Sequence, residues 1–155
     1  MAPNPHFVTV GSWEAAASLV GFRPRVPEYT AGYDLCSLAV WVKDHKLREV
    51  SQAERSLEAH YGGFMLAQSE PGRREAAQLA QETSYGRSFV PVSVAGCQGK
   101  SYPLGPPVEA DDIDGRAPAV VVWADGARFF LLASGELEAE VLLEVAGRLR
   151  DTKDG

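Results

Sequence analysis

No apolar run in the chain approaches the roughly 18 residues a helix needs to cross a bilayer, so no membrane insertion by this chain is expected. No Lys/Arg cluster is interleaved with aromatics either, and the formal net charge is −6. A nucleic-acid surface needs local positive charge to replace condensed counterions, and Arg73-Arg74 is too small a patch to supply it, so no nucleic-acid partner is expected. The three histidines, His6, His45 and His60, are scattered. Without a His-x-x-x-His or Cys-x-x-Cys pairing there is no metal-ligand spacing for zinc. A Gly-x-Ser-x-Gly elbow and a dinucleotide fingerprint are also missing. The stretch Gly96-Cys97-Gln98-Gly99-Lys100-Ser101 ends in Gly-Lys-Ser, but its first Gly stands too close for a phosphate loop and Tyr102-Pro103 follows where a helix would have to start. It reads as a loop. Met1 to His6 lacks the basic start and apolar segment of a secretory signal.

What is present describes a globular domain. At 155 residues the chain can bury roughly 70% of the surface its unfolded form exposes, enough to fold without a metal or disulfide. The composition, 45% hydrophobic and 23% charged with 15 Gly and 10 Pro, fits a folded chain with many turns. A single α+β domain over residues 1–155 is expected, with 1–11 and 151–155 flexible. Cys36 and Cys97 fall on separate elements, compatible with two inert thiols in a cytosolic setting or with one disulfide.

The last third is the most legible. Ala119 to Trp123 and Ala127 to Leu132 flank Asp125-Gly126, a pair suited to the two central positions of a tight hairpin turn. A helix should follow from Glu136 to Arg150, capped by Ser134, with Leu137, Val141, Leu142, Val145, Ala146 and Leu149 as its apolar stripe. Near the other end, Ser12 can cap a helix from Trp13 to Val20, buried through Trp13, Ala16, Ala17 and Val20 and ended by Gly21. Phe22 to Pro27 reads as an extended arm and Gly32-Tyr33 as a turn. Leu35 to Val42 reads as a strand; Ser51-Gln-Ala-Glu54 could cap a helix through Ala59, but the alternation of Ser56 to Tyr61 favours another strand, with Gly62-Gly63 as the turn into Phe64 to Gln68. Pro71 to Thr83 suits a short exposed helix or a mobile loop. Ser88 to Ala95 has strand character, confined to an edge or a bulge by Pro91, and at most a short strand is expected around Lys100 to Leu104. The sum is a curved, mainly antiparallel sheet of about six strands with the N- and C-terminal helices packed on one face.

Three stretches carry a resemblance. They are Phe22 to Pro27 with Gly32-Tyr33, the strand pair Tyr61 to Gln68 ending in Leu-x-Gln, and the strand, tight turn, aromatic strand and Leu-rich helix from Trp123 to Leu149. Their order resembles the C-terminal domain of unknown function of anti-sigma-factor-like bacterial membrane proteins, akin to lipoprotein-carrier-like domains. The resemblance implies that fold, an extracytoplasmic location and no particular reaction. A chain complete as given would instead be expected in the cytoplasm.

Chemistry-bearing candidates are few. Asp111-Asp112-Ile113-Asp114 with Glu109 offers oxygen ligands, but the spacing misses a calcium loop and a solvated acidic loop is expected. Cys36 or Cys97 joined to His60 is the one thiol-and-base possibility, and no local signature accompanies it. No catalytic residue, metal or cofactor is therefore assigned. The aromatics Trp41, Phe64, Trp123, Phe129 and Phe130 are the candidate ligand-binding set, in a groove between sheet and helices. Phe129 and Phe130 must point to opposite faces of a regular strand, so one of them needs cover from a second layer or a binding partner. A non-enzymatic binding or sensory module with a protein partner is the leading expectation. A carrier of a small hydrophobic ligand or lipid is the alternative, requiring an enclosed apolar cavity of several hundred cubic ångströms. A small cysteine hydrolase comes third.

Overall fold

The computed structural model describes residues 7–42, 55–105 and 117–151. In chain order the elements are β1 (Phe7–Val10), α1 (Trp13–Val20), β2 (Arg25–Pro27), β3 (Leu35–Val42), β4 (Arg55–Tyr61), β5 (Met65–Ser69), α2 (Arg73–Glu82), β6 (Val90–Val94), β7 (Cys97–Tyr102), β8 (Ala119–Asp125), β9 (Arg128–Ser134), α3 (Ala139–Gly147) and β10 (Leu149–Asp151). Eight strands form one antiparallel sheet in the order β1-β3-β4-β5-β9-β8-β7-β6, and β10 pairs with β2 in a separate ribbon. The strand count exceeds the expected six because β1, β2 and β10 are too short to show a period of two in sequence. The N-terminal stretch expected to be flexible contains β1, registered on β3 with Val8 opposite Val40.

One face of the sheet holds the core. Leu38, Val40, Leu57, Ala59, Leu66, Val121, Trp123, Phe130 and Leu132 point there, and Ala16 and Val20 of α1 meet them together with Leu142, Val145 and Ala146 of α3. The two terminal helices therefore share a face, as their stripes imply. The register accounts for the selection: Val40 lies opposite Leu57, Ala59 opposite Leu66, Leu66 opposite Leu132 and Val121 opposite Leu132, so one alternation of side chains runs through the sheet. The other alternation, Val120, Val122, Phe129, Leu131 and Ala133 with Tyr102, forms a smaller cluster that Ala80 of α2 covers. Phe129 and Phe130 do part company, and α2 supplies the second layer.

The α1 boundaries follow their caps. Ser12 Oγ accepts from Ala15 N at 3.1 Å, and Gly21 takes φ +80° and bonds back to the Ala17 carbonyl. Phe22 folds under this turn into the core. The C-terminal helix is shorter than its sequence stripe. Ser134 Oγ accepts from Glu136 N and Leu137 N at 3.0 and 2.8 Å and donates to Gly63 O at 2.5 Å, so it closes a turn ahead of the helix, and the residue at the N-cap is Glu138. At the other end Leu149 leaves the helix for β10, where it pairs with Pro27.

Two further details differ from the sequence reading. Asp125 pairs with Arg128, so the β8-β9 turn is Gly126-Ala127 with positive φ at its first central position, the II′ pattern in which Gly leads. The Gly-Lys-Ser stretch is strand, not loop: Gly99, Lys100 and Ser101 pair with Trp123, Val122 and Val121. A Cβ on Gly99 would sit 2.6 Å from the Val122 carbonyl and 3.0 Å from Trp123 Cβ, so this glycine serves close strand packing. The acidic tract from Glu109 to Asp114 lies outside the described residues, as does His45.

Candidate functional site

The aromatic set separates by face. Trp123 and Phe130 stack at 5.1 Å and 11° inside the core, and Phe64 is buried there against Tyr61 at 4.6 Å. Burial pushes the Tyr61 hydroxyl up to about 12. Phe129 lies beneath α2, and Trp41, half-buried on β3, alternates with Val40 and faces away from the core. The five do not converge on one groove.

A separate groove lies on the α2 face, with Phe89 in its wall. Of the five exposed large hydrophobics among the described residues, Leu79, Tyr85, Phe89 and Val90 fall on one stretch from the end of α2 to the start of β6, Phe89 being 45% and Val90 56% exposed. The sheet extends past α2 on this face, and the step between helix and sheet is an open groove of about 920 Å³. Its walls are Ala77, Ala80 and Gln81 on one side and Pro91 and Ser93 on the other, over Gln98 and Lys100. A second cavity of about 560 Å³ adjoins it, lined by Ser84, Arg87, Ser88 and Tyr102 and sharing Phe89 and Lys100.

The loop between α2 and β6 is fastened from below. Lys100 Nζ donates to the Gln81 carbonyl and, at 3.2 Å, to that of Thr83, placing a cation where the helix dipole is negative. Tyr102 Oη donates to the same Thr83 carbonyl at 3.2 Å. Arg87 donates to the carbonyls of Pro103 and Pro118. Its guanidinium lies 5.4 Å from the Tyr102 ring centre, and Lys100 Nζ lies 5.0 Å from that of Phe89. Tyr85 meets Tyr102 edge-on at 5.0 Å, and burial raises its hydroxyl pKa.

β6 is the terminal strand of the sheet. Ala95 and Gly96, with φ of +49° and +86°, make a two-residue turn, so Val94 and Cys97 exchange hydrogen bonds across it. By alternation, Val90, Val92 and Val94 turn their backbone groups to β7, and Pro91 and Ser93 turn theirs to the open edge. Pro91 thus removes a donor from the free side and none from the ladder.

The thiols stand apart. Cys36 is exposed in a bulge between Leu35 and Ser37 and donates to the Asp34 carbonyl, and His60 lies instead 3.6 Å from Glu58. Cys97, also free, rests on the core side beside Asp125; burial foremost, then the Asp125 carboxylate, raises its thiol pKa. That leaves it protonated at neutral pH, the unreactive form. Asp125 belongs to a clasp in which Arg25 bonds it at 2.8 Å and lies 5.0 Å over the Phe130 ring, and Asp151 meets Arg128 at 3.3 Å. Gln68, fully buried, holds β2 by accepting from Arg25 N at 2.8 Å and donating to Arg25 O at 2.9 Å. Among the described residues no helix is long and apolar enough to cross a membrane, and none form a metal-holding group of His, Cys, Asp or Glu.

Sequence reading passed over the groove because Leu79 is a single Leu in an Ala/Gln/Glu-rich helix and Phe89 opens an apolar run that looks like core. The available signal was Pro91: a strand confined to an edge has neighbours on one side only, so Phe89 and Val90 lack full cover. No family model matches the chain, and no curated protein or solved structure matches it.

Proposed function

We propose that the protein is a non-enzymatic binding module whose groove between α2 and the β6-β7 hairpin receives a short segment of a protein partner. The observation that supports this reading is Phe89, 45% exposed, in the wall of an open cavity of about 920 Å³ beside α2. A concave site walled in part by an exposed aromatic side chain and a few polar groups is the usual form of a binding site. Its lining favours a peptide over a bare acyl chain. Gln81, Ser93 and Gln98 interleave with Phe89 and Pro91; an acyl chain would strip water from those amides and hydroxyls without replacing their hydrogen bonds, whereas backbone amides replace them. The carrier alternative needs enclosed apolar volume, and the core positions that would line it hold Trp123 stacked on Phe130. Membership of the anti-sigma-factor-like family, with the location it would bring, is part of this proposal.

The test is selection of peptides from a random display library, with Phe89→Glu as the counter-target. Selected peptides that lose tenfold or more in affinity for the variant support the groove. Peptides indifferent to Phe89→Glu, or none selected, overturn it.

A further inference from the structure

The two cavities share Phe89 and Lys100 but differ in chemistry. The smaller one carries two positive charges, Arg87 and Lys100, beside the hydroxyls of Ser84 and Ser88, and no carboxylate among the described residues. Among the described residues every partner of the two cations is neutral: the carbonyls of Gln81, Thr83, Pro103 and Pro118 and the rings of Phe89 and Tyr102. Among the described residues neither is ion-paired, in a chain with 21 acidic against 15 basic side chains. An ammonium has three N–H donors and a guanidinium five, and each bonds to two carbonyls here, so donors remain on both. Two cations held in place by neutral acceptors carry no counter-charge among the described residues and can offer their charge to a ligand.

Resting on the peptide-binding reading, we propose that the partner segment ends at this point in a free C-terminal carboxylate held by Arg87 and Lys100, with an apolar last side chain against Phe89. Topology distinguishes a chain end from an internal acidic residue. α2 and β6 are consecutive elements, and the Ser84–Ser88 connection between them crosses the cationic end of the groove. A chain passing through would have to climb over that connection, whereas a terminus stops in front of it. The carboxylate meets charge-assisted donors and two serine hydroxyls, the chemistry by which chain termini are captured elsewhere.

The experiment pans two bead-bound random hexapeptide libraries, alike except that one ends in carboxylates and the other in carboxamides, against the whole protein and against Phe89→Glu. Hits are expected from the carboxylate library, with an apolar last residue. Amidating a hit should weaken binding about tenfold or more, Arg87→Gln should do likewise, and affinity should fall as salt rises. The amidation comparison needs no variant and so does not depend on one folding. Peptides that lose affinity for Phe89→Glu but bind equally well with either end overturn the carboxylate and leave the groove standing. A lack of any peptide sensitive to Phe89→Glu overturns both.

Discussion

At the scale of single residues, several side chains carry duties their type does not announce. Gln68 reads as an ordinary polar residue closing a strand, yet it stands in for a strand partner, offering β2 both an acceptor and a donor where the ribbon crosses the core. Gly63 has no room for a side chain, because a Cβ there would lie 2.2 Å from the Tyr33 ring. Tyr61 makes the sharpest residue-level prediction. Its folded-state pKa, about 12, stands above the ordinary tyrosine value of 10.0. A raised acid pKa with a neutral protonated form contributes stability that is complete below pH 10 and is lost as the pH climbs toward 12. Tyr61→Phe is therefore expected to melt like the parent at neutral pH and to lose less stability between pH 10 and pH 12, as followed by circular dichroism. Identical alkaline losses in the two proteins would assign the effect elsewhere.

Elements were legible where one residue type decides the local backbone. Ser12 and Gly21 bracket α1, Gly62-Gly63 turns β4 into β5, and Pro91 puts β6 at an edge, each for a reason visible in the side chain or its absence. Elements whose identity depends on distant partners were not. β10 is strand because Pro27 and Arg25 await it 122 and 126 residues away in the register of Leu149 to Asp151 with β2, and the helical stripe that reaches Leu149 in sequence yields to that pairing. The candidate site was hidden for the same reason, since the groove exists only where α2 stops short of β6. At this scale Pro91 is expected to guard the sheet. Val90-Pro-Val-Ser-Val94 has no charged side chain, and its exposed edge lacks one amide donor because of the proline. Pro91→Thr supplies that donor while keeping the strand, so the variant should self-associate at concentrations where the parent remains in its native oligomeric state, as read by light scattering. Equal scattering from both would remove the guarding role.

For the molecule as a whole, the clasp around Arg25 decides how the chain's two ends are held. Arg25 reaches Asp125 at the β8-β9 turn and Asp151 in β10, so the first third, the sheet's central hairpin and the last strand meet at one guanidinium. The Arg25 hydrogen bond chiefly holds the Asp125 carboxyl below its usual range. A depressed carboxyl pKa gives stability that is present above about pH 4 and lost as the pH falls through the folded value. Both side chains are partly open to water, so the effect should stay under about 1 kcal/mol. Asp125→Asn should thus narrow the drop in melting temperature between pH 5 and pH 3. A drop of the same size in parent and variant would show that the acid sensitivity lies in other carboxylates.

The strand order splits the sheet by sequence: β1, β3, β4 and β5 all precede residue 70, β6 to β9 all follow it, and the two sets join only along β5 and β9, where Met65 lies opposite Ala133. During synthesis, the first four strands leave the ribosome long before the strand that completes them. The edge of β5 must wait, unpaired, for roughly 60 further residues, or several seconds at ordinary elongation rates. The nascent chain therefore passes through an interval in which Met65 to Ser69 presents a bare strand to the cell, and the time of greatest exposure to misassembly comes before the protein is finished.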